Sequence, residues 1–237
     1  MKVKLDLHMH SCLSPCGDND MTPYNLVNMS KLMGYDMIAL TDHNSCLNCE
    51  AAIKAGNEAG LTVIPGMELC TSEEIHNVCL FPDLNLSLKF SDFIRSTMPE
   101  IDNKTEIYGE QLIMDDTDNI IGCESRLLTL ASSISEDDLV KTVSEYGGVC
   151  FPAHLDRASY SILSVLGFLY PELGFTAAGF SRKAFIPMYI EKHPLLSEMK
   201  TFKNCDAHYL EEIPEPMNVI ELEECSAKAI IDYIGNK

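Results

Sequence analysis

Tryptophan is absent from this 237-residue chain, and basic residues are scarce: 17 Lys and Arg stand against 36 Asp and Glu, for a formal net charge of −19. Such a chain lacks the basic footprint of a protein that tracks a phosphate backbone, so a long nucleic-acid partner is not expected. Small phosphorylated substrates stay open, because bound divalent ions invert the local field. Long apolar runs are missing as well. The longest, SILSVLGFLY at 161–170, falls short of the roughly 18 residues that read as a membrane span. The N-terminus has no apolar core of the secretory kind. The expectation is a soluble cytoplasmic protein with no membrane partner, and nothing in the chain speaks to its oligomeric state.

Cysteine is plentiful, at ten residues. Hydrophobic residues make up 46% of the chain, enough for a sizeable core, so reduced thiols are expected rather than a disulfide scaffold. Cys46 and Cys49 form a single C-x-x-C at a helix start, without a second pair at zinc-finger spacing.

Short β-type runs alternate with helical patterns. VKLDLH leads to TPYNLVNMSKLMG, where Thr22 suits an N-cap, Pro23 the first helical position and Gly34 the stop. DMIALTD, LTVIPGME, HNVCLFP, GVCFPAH, FKNCDAH and NVIELEE read as strands; CEAAIKAGNEAG, SEDDLVKTVSEYGG and SAKAIIDYI read as helices. This alternation predicts an α/β fold with mostly parallel strands, and the length fits one large domain or two small ones. Residues 87–133 interrupt the rhythm and read as an insertion containing a helix and a hairpin, a lid or an interface.

In DLHMH, alternation along a strand places Asp6, His8 and His10 on one face and Leu5, Leu7 and Met9 on the other. Two imidazoles on one strand face can share a cation, with Asp6 accepting the far N–H of one ring. The pattern recurs. Six of the seven histidines sit in short polar motifs, together with Asp42, Glu68 and Asp206, mostly at strand ends; His193 is the exception. A mixed imidazole and carboxylate set suits zinc, manganese or iron, and C-terminal strand ends are where α/β barrels build active sites.

Taken in order, DLHMHS, LTDHN, PGMEL, EIHNVCLF, PAHLDR and CDAHYL resemble the motifs of the polymerase and histidinol phosphatase (PHP) family, over nearly the whole chain apart from 87–133. The resemblance implies a distorted seven-stranded (β/α)7 barrel and a metal-dependent phosphoesterase with two or three divalent metals, a trinuclear centre in its full form. It implies that His8, His10 and Asp206 hold one metal, that Glu68 bridges to a second held by His76 and His154, and that His43 and His208 hold a third. Where many members carry a further ligand after the first motif, this chain reads SPCGDND, so Cys16 and Asp18, with Asp20 nearby, are candidates alongside Asp6. Asp42 and His43 are the candidate proton donors. Arg157 is a candidate phosphate clamp, since a guanidinium matches phosphate oxygens bidentately, and Arg182 with Lys183 is a second.

The expected reaction is hydrolysis of a small phosphoester (a nucleotide, sugar or amino-alcohol phosphate) by a hydroxide held between metals. The alternatives are an amidohydrolase-like enzyme acting on a C–N or C–O bond and a PHP module that has lost catalysis. A lysine bridge, frequent in the first, has no counterpart at a motif position here.

Overall fold

The computed structural model describes residues 1–236. In chain order its elements are β1 (Lys2–Met9), α1 (Pro23–Met33), β2 (Met37–Leu40), α2 (Cys49–Ala59), β3 (Thr62–Cys70), β4 (His76–Leu80), α3 (Leu84–Thr97), α4 (Thr105–Tyr108), β5 (Leu112–Met114), β6 (Ile120–Cys123), α5 (Glu136–Glu145), β7 (Val149–Pro152), α6 (Ile162–Val165), β8 (Ala177–Ser181), α7 (Ile186–Lys192), β9 (Lys200–Asn204), β10 (Asn218–Glu221) and α8 (Ala227–Gly235). No helix among the described residues is long and apolar enough to cross a membrane.

Local chemistry accounts for the helix ends. Thr22, Asp83, Ser135 and Ser226 each accept a backbone N–H of the first turn of α1, α3, α5 and α8, satisfying donors that have no partner within the helix. Gly34 closes α1 at φ +92°, in the left-handed region that glycine enters without steric cost.

The main sheet is curled and mixed, with six strands in the order β10-β1-β2-β3-β4-β7. β1, β2 and β3 are parallel; β4 runs antiparallel to both of its neighbours, β3 and β7. The expectation of mostly parallel strands fails at β3–β4 because only residues 71–75 join them. A parallel pair needs a crossover of a dozen or more residues. The fold is thus α/β as expected, but the hydrogen-bonded ladder is not a seven-stranded barrel. β8 and β9 form a separate parallel pair, tied to the sheet near the strand ends by single contacts such as Leu155 N–H to Gly179 O (2.9 Å) and His10 N–H to Ala207 O (3.1 Å).

Two apolar layers result. Val3, Leu5, Leu7, Ile64, Val78, Phe151 and Phe202 pack with Ile230, Ile231 and Ile234 of α8. Met9, Leu40, Met67 and Cys79 pack with residues of α1, α2, α3 and α5. Met9 therefore does not share a layer with Leu5 and Leu7, which corrects the simple alternation expected for β1. The register with β2 shifts between Asp6 and Met9, and an extra residue of this kind re-aims the side chains after it.

Within 87–133, α3 supplies the first part and the β5–β6 hairpin the later part. The hairpin docks through Asn48, whose side chain accepts from Met114 N–H (3.0 Å) and donates to Leu112 O (3.1 Å) and Ser11 Oγ (2.9 Å). Gly109, at φ +96°, lies against Pro15, and a Cβ there would fall 2.1 Å from the Pro15 carbonyl oxygen.

Candidate metal centre

Glu68, near the end of β3, is the hub. Its Oε1 lies 3.2 Å from His8 Nε2 and 3.1 Å from both His76 Nδ1 and His154 Nε2. Its Oε2 lies 3.4 Å from His10 Nε2 and 3.1 Å from His43 Nδ1. Asp206, just past β9, completes one side: Oδ1 is 3.3 Å from His8 Nε2 and 3.1 Å from His10 Nε2. His208 stacks on His10 with ring centroids 4.3 Å apart.

Three sets of donor atoms lie within 4.8 Å of one another: His8, His10, Glu68 and Asp206; His43, Glu68 and His76; and His10, His43 and His208. The eight residues expected as metal ligands are thus brought together, His154 through its contact with Glu68. Residue chemistry fits cations between them. Asp206 Oδ1 and His154 Nδ1 are buried without a hydrogen-bond partner, a costly state for polar atoms that an ion or water would relieve.

The surrounding hydrogen bonds point ring nitrogens inward. Ser14 Oγ donates to Asp42 Oδ1 at 2.7 Å, so its lone pair receives His10 Nδ1–H at 2.8 Å, and Nε2 faces the cluster. Ser11 donates its N–H to Asp42 Oδ1 and its hydroxyl to Oδ2, each at 2.7 Å. Asp42, expected as a proton donor, is therefore not brought into the donor group: both its oxygens are taken up by serines. His208 Nδ1 faces the carbonyl of Asp206, two residues back, at 2.9 Å, which likewise leaves Nε2 as the donor atom toward His10 and His43. Neither serine was singled out from sequence, because serines after a strand are ordinary turn residues; Ser11 in DLHMHS was the nearest signal.

Asp6 is not with the imidazoles. Its carboxylate accepts His8 N–H (3.1 Å) and Cys205 N–H (2.9 Å), joining β1 to the loop after β9. Burial raises its pKa to about 7. Asp18 accepts Asp20 N–H at 2.8 Å in the loop and belongs to none of the three donor sets. Cys16 stands at the rim. Burial raises its thiol pKa, but hydrogen-bond contact with His208 and His43 outweighs this and lowers it to about 5.

The charges interlock. Burial opposes ionisation of Glu68, yet the charges of His76 and His8 with hydrogen bonds from His10 and His154 hold it well below the usual carboxylate range. Burial opposes charge on His10 as well, and Asp206 and Glu68 overcome it and raise its pKa. His76, where burial dominates, is lowered.

Two site residues have left-handed backbones, His154 at φ +29° and Asp206 at φ +52°, a strain typical of functional positions. Arg157 sets a guanidinium nitrogen 2.8 Å from Asp206 Oδ2, with its side chain 47% exposed. Arg182 and Lys183 share a groove with Arg157, Asp206 and Glu212. His193 lies outside the cluster, its backbone N–H bonded to Tyr189 O.

The PHP domain family model matches residues 6–161. This chain belongs to the PHP family. A 5′-3′ exoribonuclease of Haemophilus influenzae is 35% identical to it over 74 residues, 31% of this chain and 26% of that enzyme. Among solved structures, the lesion-specific endonuclease Q of Pyrococcus furiosus superposes with a TM-score of 0.69 at 17% identity, covering 99% of this chain and 56% of that one. Endonuclease Q has also been seen with a 27-mer duplex carrying an abasic lesion at its active site, at a TM-score of 0.67 and 16% identity, over 99% and 56% of the two chains. A Bifidobacterium adolescentis protein regarded as a metal-dependent phosphoesterase gives 0.65 at 15% identity, over 98% and 96%. The PHP chain thus spans little more than half of endonuclease Q and about a quarter of the exoribonuclease.

These similarities overturn the expectation of a small phosphorylated partner with long nucleic acid excluded, because both the exoribonuclease and endonuclease Q act on nucleic acid. The physical reason is that net charge sums over the whole surface, whereas binding samples one face. Here Arg157, Arg182 and Lys183 gather beside the cluster in spite of the overall −19.

Proposed function

We propose that this PHP-family chain is a metal-dependent phosphoesterase that hydrolyses a phosphodiester bond of a nucleic-acid strand. The observation that carries this reading is the two-sided environment of Asp206. One oxygen faces His8 and His10 without a hydrogen-bond partner, and the other faces Arg157 at the open rim. A phosphate lying there would meet the metal-binding side chains and a guanidinium at once.

His8, His10 and Asp206 would hold one divalent ion, Glu68, His76 and His154 a second, and His43 with His208 a third. Bound divalent ions would supply the charge that makes water nucleophilic near neutral pH and offsets charge on phosphoryl oxygens. The protein's own part is positional. Ser14 and Asp42 fix the His10 ring, and Arg157 grips a phosphoryl oxygen. The exoribonuclease similarity and the likeness to endonuclease Q support a strand substrate.

The test is an end-labelled single-stranded RNA and DNA series incubated with manganese-loaded protein. Metal-dependent shortening of the strand, abolished by chelation, is expected. Release of phosphate from small monoesters alone, with every strand left intact, would contradict the reading.

A further inference from the structure

The loop at 154–160 reads HLDRASY and does three things within seven residues. His154 points Nε2 at Glu68, Arg157 grips Asp206, and Tyr160 lays its ring on His76. The first two belong to the chemistry already described. Tyr160 has no part in it.

The Tyr160 and His76 rings stack with centroids 4.6 Å apart and planes at 25°. Only one face of the tyrosine is used in this way, and the residue is 47% exposed. Its hydroxyl makes no hydrogen bond among the described residues, so the side chain interacts through its ring. Its backbone sits at φ +54°, a conformation that bulky side chains rarely adopt and that costs free energy unless the surroundings impose it. Here they do: His76 N–H donates to Tyr160 O at 2.9 Å, and Ser161 Oγ donates to Arg157 O at 2.7 Å while capping α6. A large aromatic is thus held in a strained turn, beside a metal-binding histidine, with nearly half of the residue exposed.

We propose that Tyr160 is a nucleobase-stacking subsite, holding the base next to the phosphate bound by Arg157. The proposal rests on the nucleic-acid reading above and narrows it. Single-stranded nucleic acid is bound by pairing cations for the phosphates with aromatic faces for the bases. Stacking of this kind tolerates any sequence because every base offers a π-face. Arg157 and Tyr160, three residues apart and both exposed, present that pair of groups from one loop. A ring that merely braced His76 would act on the metal centre alone and would be indifferent to a base.

The chain has no tryptophan, so Tyr160→Trp installs a single fluorescent reporter at the site. Titration with a short single-stranded phosphorothioate oligonucleotide is expected to quench the indole. A strand of equal length and charge with abasic sugars throughout is expected to leave its emission unchanged. In parallel, Tyr160→Ala is expected to weaken binding of the base-bearing strand about tenfold or more and leave the abasic strand unaffected, at unchanged metal content; Tyr160→Phe should bind as the wild type does. Equal effects of Tyr160→Ala on both strands, or on neither, would overturn the proposal while leaving the nucleic-acid reading intact. So would an indole blind to a base-bearing strand that the protein binds. If the wild type binds neither strand, the nucleic-acid reading fails and this inference with it.

Discussion

A guanidinium nitrogen of Arg157 lies 2.8 Å from Asp206 Oδ2, while the other oxygen of that carboxylate faces His8 and His10. The pair joins the open rim to the buried cluster. Exchange of Arg157 for lysine keeps the charge but loses the planar fork. Arg157→Lys is expected to lower kcat/KM for a strand substrate about tenfold, about 1.4 kcal/mol of transition-state binding. Steady-state kinetics that match the wild type would place Arg157 among ordinary surface cations.

His10→Ala and Asp206→Ala each remove donor atoms that the rest of the cluster cannot replace. Loss of even a supporting group around a metal costs about 10–100-fold, so activity is expected to fall at least that far. Circular dichroism should show the fold retained, since neither side chain belongs to the apolar layers. A variant within tenfold of wild type would remove its residue from the ligand set.

Ser14 stands between Asp42 and His10, 2.7 Å from one and 2.8 Å from the other. Ser14→Ala breaks that relay without touching a ligand, so the His10 tautomer is no longer dictated. Calorimetric titration with manganese is expected to show affinity weakened about tenfold. Unaltered affinity would mean that the His10 ring is held by packing alone.

Glu136 opens α5 and is buried; burial raises its pKa from 4.5 to about 7, against a hydrogen bond from Asn77. The folded state then holds this proton more tightly than the unfolded chain does. The group's contribution to stability is full below about pH 4.5 and is lost as pH rises toward 7. Above that, an ionised carboxylate stays buried at a cost of about 3 kcal/mol. Glu136→Gln keeps the acceptor oxygen and removes the charge. Thermal melts should show the variant more stable than wild type at pH 8 and nearly equal at pH 4.5. Destabilisation at pH 8 would show that the carboxylate is held ionised.

Most of the cluster was legible in the sequence, because imidazoles and carboxylates repeated at strand ends have few structural uses. Helix starts at Thr22, Ser135 and Ser226 were legible for a local reason, since capping involves only neighbouring residues. What escaped depends on long-range geometry. The register slip in β1 and the separate β8–β9 pair are decided by packing rather than by any residue in them, whereas the antiparallel turn at β3–β4 follows from the short link at 71–75. Ser14 and Tyr160 carry no sequence mark; only the fold sets one beside Asp42 and the other on His76. The inference from net charge failed because −19 describes the whole chain and not the groove beside Asp206.

Glu68 and its ring of histidines are expected to form a centre for more than one metal. Purified protein, stripped and reloaded with manganese, iron or zinc and then freed of excess ion, should carry two to three metals per chain by elemental analysis. Fewer than one per chain after reloading would contradict it.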